Sequence, residues 1–274
     1  MAPDEIHAST QDSLATVAAI GVLAFVATDL AHEVIGHGIG LLLAGGRAGT
    51  LTTTRLIYPA QLSEPFWRIF DLAGPIGNLS WAALCLTLQR LLSRAAPGWR
   101  LFLWTGAMLG LFWEFGYLMK CGLSGHGDAM ALIEGLKPAG VWRGILFLAG
   151  LILYRGAIRF LAAELHFVVR ASDVEWRPRV RRLLWTLYFA AGFTACAGAL
   201  LDPRGPGEIM RSGAASSFVA CLGLGLVPAF FQRFADTSVS MGDSVRWSVP
   251  AIGFAVVIFF FFVLVLGPGI HISF

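Results

Sequence analysis

The chain has 274 residues, 57% of them hydrophobic and 14% charged, with a formal net charge of +3. Soluble domains carry about 25% charged residues, and the charges here sit in short islands between apolar runs long enough to cross a bilayer, which excludes a soluble globular fold. A balance of +3 is too mild for a nucleic-acid surface, and Cys85, Cys121, Cys196 and Cys221 stand too far apart for a disulfide framework or a metal knuckle.

The expected architecture is an all-α integral membrane protein of six or seven transmembrane helices, with a short β-strand or hairpin after the first. Residues 1–13 read as a polar tail. The tail holds Asp4, Glu5 and Asp12 but no Lys or Arg, so it lacks the basic region of a secretory signal peptide, and the first helix is expected to be retained. Apolar segments follow at 14–44, 66–93, 101–120, 141–169, 182–201, 213–231 and 248–268. The first would span roughly 46 Å as a helix against a hydrocarbon core of about 30 Å, so it must tilt, protrude or be distorted. Gly45 and Gly46 stop it. The β-branched and aromatic run from Thr50 to Tyr58 predicts a strand, ended by Pro59.

The fourth segment leaves the span count open. Between Arg143 and Arg155 lies only a short uncharged stretch, followed by Arg159, Glu164 and His166. It either spans with snorkelling arginines or lies in the interface. Arg177, Arg179, Arg181 and Arg182 then form a membrane-surface anchor rather than a nucleic-acid patch. If all seven segments span, this cluster shares the side of Met1, and the positive-inside rule puts Met1 in the cytoplasm. If the fourth is interfacial, Met1 lies outside. The chain thus divides into the tail, a membrane core at 14–140, a short transmembrane or amphipathic segment with its Arg-rich loop at 141–181, and C-terminal helices at 182–274. That last third shows no chemical motif.

The chemistry is concentrated in the first helix, where Asp29, His32, Glu33 and His37 fall in an apolar stretch. Ionisable groups in a membrane cost several kcal/mol each unless compensated, and a metal ion compensates them well. Zinc takes imidazole and carboxylate ligands, and a neighbouring carboxylate serves as general base. Zincin histidines stand four apart on one helical face. His32 and His37 are five apart, which turns them about 140° from each other on an ideal helix. Either a π-bulge eased by Gly36 or Gly38 brings them together, or Glu33 and His37, four apart, form the facing pair with Asp29 a turn earlier. A purely structural account also fits: a polar patch at a helix contact, with Gly36 and Gly40 as a small-xxx-small pair.

The run from His32 to His37 resembles the His-Glu-x-x-Gly-His zinc motif of the dipeptidyl peptidase III family, where two histidines bind zinc across the extra residue and the glutamate activates water. Together with Ala73-Gly74-Pro75-Ile76-Gly77-Asn78, it resembles the site-2 protease family of intramembrane zinc metalloproteases, over roughly residues 25–135. That resemblance implies zinc on His32 and His37, Glu33 as the catalytic base, Asn78 positioning the substrate backbone, and a third ligand after the third helix. Asp128 in the Gly-rich Cys121–Asp128 stretch is the candidate, with His126 as the fallback. The family's usual Leu-Asp-Gly is not matched there. The family also places zinc toward the cytoplasm, with Met1 outside. Glu114 either orients a ligand histidine or pairs with Lys120.

These readings converge on a zinc metalloendopeptidase of intramembrane proteolysis, in a multi-pass protein of a bacterial inner membrane. Its partners would be the bilayer and a transmembrane protein substrate. A non-proteolytic member of the same fold, acting as a binding or assembly subunit, is the main alternative. An ion pathway through Asp29, Glu33, Glu114 and Asp128 is a third.

Overall fold

The computed structural model describes residues 11–58, 62–168, 176–231 and 244–273. The tail before Gln11, Pro59 and positions 169–175 of the Arg-rich loop lie outside the described residues. Among the described residues, seven helices are long and apolar enough to cross a membrane: α1 (Leu14–Leu43), α2 (Phe66–Leu91), α3 (Pro97–Ser124), α4 (Ala139–Val168), α5 (Trp176–Gly198), α6 (Ile209–Phe231) and α7 (Val249–Leu266). Large apolar side chains such as Ile152, Phe193 and Val257 point outward, as lipid-facing residues do and the surface of a soluble protein does not.

The two ends of the bundle are sorted by chain order. At one end Arg179, on the first turn of α5, donates from Nε to Asp12 Oδ2 at 2.7 Å, and Val245 N donates to Asp12 Oδ1 at 2.8 Å ahead of α7. At the other end the chain leaving α1 meets the chain leaving α5: Thr54 Oγ1 donates to Asp202 Oδ2, and Arg204 Nη2 donates to Thr54 Oγ1 at 2.8 Å. Helix α4 runs antiparallel along α3. Gly122 sits against the Arg143 carbonyl, where a Cβ would come within 2.7 Å, and far along the pair Trp104 Nε1 donates to Leu161 O at 3.1 Å. A helix that follows α3 over this length stands upright beside it. Among the described residues seven long apolar helices stand in the bundle, with the Arg177–Arg182 cluster at the end of Asp12.

A small antiparallel sheet closes the opposite end, in the order β2 (Leu56–Ile57), β1 (Ala48–Leu51), β3 (Ile270–Ser273). Thr50 pairs with Ile57 on one side of β1 and with His271 on the other. Of the strand or hairpin expected after the first helix, the chain forms the hairpin, which starts at Ala48, ahead of the run from Thr50. Thr52 Oγ1 donates to Arg55 O at 3.0 Å and accepts from Thr54 N at 3.2 Å. A threonine hydroxyl that bonds nearby backbone competes with ladder pairing and makes a turn where β propensity alone predicts strand.

Helices α1 and α2 cross at glycines. A Cβ on Gly36 would meet Ala73 O at 2.5 Å and Gly74 Cα at 2.7 Å, and one on Gly40 would meet Phe70 Cα at 3.1 Å. The small-xxx-small contact exists, and it lies beside the polar cluster rather than replacing it. Behind it, Phe25 stacks on Trp113 at 5.8 Å and meets Phe262 edge-on at 6.0 Å, which ties α1, α3 and α7 into one core.

Candidate metal centre

Within α1 the stretch Ala31–His37 is π-helical. The backbone N–H of Gly38 reaches Glu33 O, five residues back. A π turn inserts one residue and stacks positions five apart. It thereby brings the His32 and His37 rings to 4.8 Å between centroids, at 81° to each other. The spacing that looked wrong for an α-helix is right for this backbone. One nitrogen from each histidine and one oxygen from Glu33 lie within 4.8 Å of one another, a buried group able to hold a metal ion.

Asp128 arrives from the loop after α3. Gly125 and Gly127 take φ of 74° and 114°, conformations that favour glycine, and between them they turn the chain back over the end of α1. Asp128 Oδ2 comes to rest 3.3 Å from His32 Nε2 and 3.6 Å from His37 Nε2. Donors about 2.0–2.2 Å from a tetrahedral ion stand about 3.3–3.6 Å apart, so these separations fit such an ion. Burial alone would raise the carboxyl of Asp128, but its contacts with His32 and His37 hold it below the usual carboxylate range. His126 turns Nδ1 to its own loop, 2.9 Å from Ser124 O, and Asp128 rather than His126 meets the two imidazoles.

Both histidines are oriented from behind. His37 Nδ1 lies 2.8 Å from Phe70 O, and a carbonyl can only accept, so Nδ1 carries the proton and Nε2 presents a lone pair. His32 Nδ1 lies 3.3 Å from Glu114 Oε1, a carboxylate behind the second imidazole. Carboxylate or carbonyl acceptors behind imidazoles are the usual supports of metal ligands. Of the two roles open to Glu114, orienting a histidine matches the structure, since Lys120 Nζ instead lies 4.3 Å above the Tyr117 ring.

Asn78 has 0% exposure. Its Nδ2 donates to Glu114 Oε1 at 2.7 Å and lies 3.1 Å from His32 Nδ1. That is the far side of the imidazole from the cavity, so contact with a substrate backbone does not follow from its position. Gly74 explains the preceding part of the motif: a Cβ there would collide with His37 Nε2 and stand 2.7 Å from His32 Nε2.

A cavity of about 630 Å³ opens onto the donors, lined by Asp29, His32, Glu33, His37, His126 and Asp128. Asp29 lies a turn before the donor group rather than in it. Glu33 Oε2 is buried and, among the described residues, has no hydrogen-bond partner. An orphaned buried carboxylate oxygen is costly, and Glu33 lines the cavity beside the histidines. The opposite wall comes from a region where the sequence shows no motif. Arg204, Glu208 and Arg211 line it, with Arg204 Nη2 2.9 Å from Glu208 Oε2. Their one sequence signal is a run of ionisable residues, from Asp202 to Arg211, between two apolar segments.

Comparison of the chain with models of protein families, with curated proteins and with solved structures finds no match, so its function has to be argued from these residues.

Proposed function

We propose that the chain is an intramembrane zinc metalloendopeptidase of the site-2 protease type, which hydrolyses peptide bonds of membrane-embedded proteins. The observation that carries this reading is the approach of Asp128 Oδ2 to the Nε2 atoms of His32 and His37, beside the orphaned Oε2 of Glu33. His32, His37 and Asp128 hold the ion. When bound, zinc lowers the pKa of a water and polarises a carbonyl. Glu33 takes the proton of the attacking water at Oε2 and passes it to the leaving nitrogen as the C–N bond breaks, ending unchanged. Glu114 keeps the Nδ1 proton of His32 in place, and Asn78 steadies Glu114. Strand β1 is paired on both sides, so an extended substrate would add at an outer strand, and β2 is the one whose backbone, at Leu56, meets Glu33. Main-chain pairing there would hold an unwound segment without demanding a particular sequence.

The test is metal content and cleavage together. Purified protein is expected to hold about one zinc per chain, lost in His37→Ala. Glu33→Gln keeps the zinc and lowers hydrolysis by at least about 10²-fold, the scale of a missing general base. Unchanged metal content in both His32→Ala and His37→Ala would overturn the reading. Zinc without cleavage of any membrane peptide would favour the assembly subunit.

A further inference from the structure

We propose that the cavity grips a carboxylate of its substrate through Arg55, with Lys120 as a second cation. This rests on the peptidase reading and adds a substrate class to it. Four cations line the cavity: Arg55, Lys120, Arg204 and Arg211. Two are already matched, since Arg204 Nε lies 3.0 Å from Asp202 Oδ1 and Arg211 Nη1 lies 3.8 Å from Glu208 Oε1. Arg55 is different. Among the described residues no carboxylate lies within ion-pair distance of it, and its Nε is buried without a hydrogen-bond partner. Lys120 is engaged by the Tyr117 ring face, which leaves its charge unneutralised.

The cavity's own carboxylates do not fill this gap. Asp128 is held by two imidazoles, Glu208 serves Arg204 and Arg211, and Asp29 and Glu33, which also line the cavity, lie outside ion-pair distance of Arg55. A guanidinium offers a planar fork of N–H donors that fits a carboxylate two bonds at a time. In a poorly hydrated cavity an unmatched cation both attracts and orients an anion. Arg55 also closes the turn just before β2. An extended peptide on the β2 edge therefore passes this guanidinium on its way to the metal donors. The carboxylate has two possible sources, the C-terminus of a peptide or the side chain of an internal Asp or Glu.

The experiment uses the full chain in nonionic detergent with Glu33→Gln, so that the probes survive. Apolar hexapeptides bearing an uncharged dye are compared by anisotropy: one with a free C-terminal carboxylate, a set amidated with one Glu moved through each position, and one amidated and neutral. The expected result is about tenfold tighter binding of an acidic peptide than of the neutral one, a typical scale for one well-placed ion pair. Whichever acidic peptide binds tighter names the source. Adding Arg55→Gln should shrink the ratio to within about twofold, and Arg55→Lys, which keeps the charge but not the fork, should restore only part of it. Equal binding of all peptides overturns the inference and leaves the peptidase reading standing. A preference that survives Arg55→Gln puts the carboxylate elsewhere and also overturns it. No binding of any peptide removes the peptide reading, and the inference with it.

Discussion

Of the three π-helical stretches among the described residues, Phe262–Leu266 holds no glycine, and the other two share a kind of contact and differ in what they carry. In Ala31–His37, Gly36 touches the backbone of α2 at Ala73 and Gly74. In Ile209–Val219, Gly213 touches the backbone of α5, where a Cβ would meet Ala195 O and Cys196 Cα, each at 2.9 Å. In both, the extra residue comes with a glycine pressed against a neighbouring helix. Only the first carries two histidines and a glutamate. The π backbone is thus a packing device in this bundle, and the donors are laid onto one instance of it. Irregular helix alone does not mark a site; the side chains that it stacks do.

The sharpest way to break the comparison is to fill the two glycines. Gly36→Ala forces α2 away at Gly74, next to both Nε2 atoms, so zinc affinity should fall about 10–100-fold, as when ligand supports are disturbed. Stability should fall by about 1–3 kcal/mol. Gly213→Ala should cost a similar about 1–3 kcal/mol in unfolding with zinc content unchanged. Equal zinc loss in the two variants would mean that the stretches are not distinct in function. A subtler change is to delete Val34. Removing one residue from a π-bulge restores an ordinary helix while the flanks keep their register, and the histidines become four apart. Zinc should be retained within about tenfold. Its loss would show that the donors need the bulge itself, not merely facing rings.

The smallest perturbation concerns the ends of the bundle. Ser124→Cys and Ser244→Cys should label from opposite faces, with stability and zinc unchanged. Labelling from one face would remove α4 as a spanning helix. The face that reaches Ser124 also decides between two expectations: the Arg cluster at the end of Asp12 puts the metal centre outside, and the site-2 protease resemblance puts it in the cytoplasm.

Much of this was legible in the sequence for physical reasons. Apolar length announces membrane helices. The five-residue gap between His32 and His37 predicts a bulge, because a buried cluster in a membrane has to converge on something. Asp128 is the candidate that the site-2 protease resemblance points to after the third helix, and the glycines before it let the chain turn back. What stayed hidden is what only packing creates. Thr52 gives no turn signal until its hydroxyl meets Arg55 O. Ile270–Ser273 is a strand only because β1 offers it an edge, although the alternation of Ile270, His271, Ile272 and Ser273 after Gly269 hints at it. Asn78 carries a motif whose resemblance implies substrate, whereas its buried place behind His32 is a matter of how α1 and α2 cross. Arg204 and Arg211 look like ordinary loop charges until the bundle folds them over the cavity.

Strand β1 has its two neighbours from opposite ends of the sequence. Strand β2 follows it within a few residues, but β3 is synthesised only after all seven helices have been translated. Until then one edge of β1 is bare, and the sheet beside the metal donors is half built. Assembly of this end of the molecule is therefore timed by the ribosome: a nascent chain can possess every donor of the centre and still lack the sheet that closes over it.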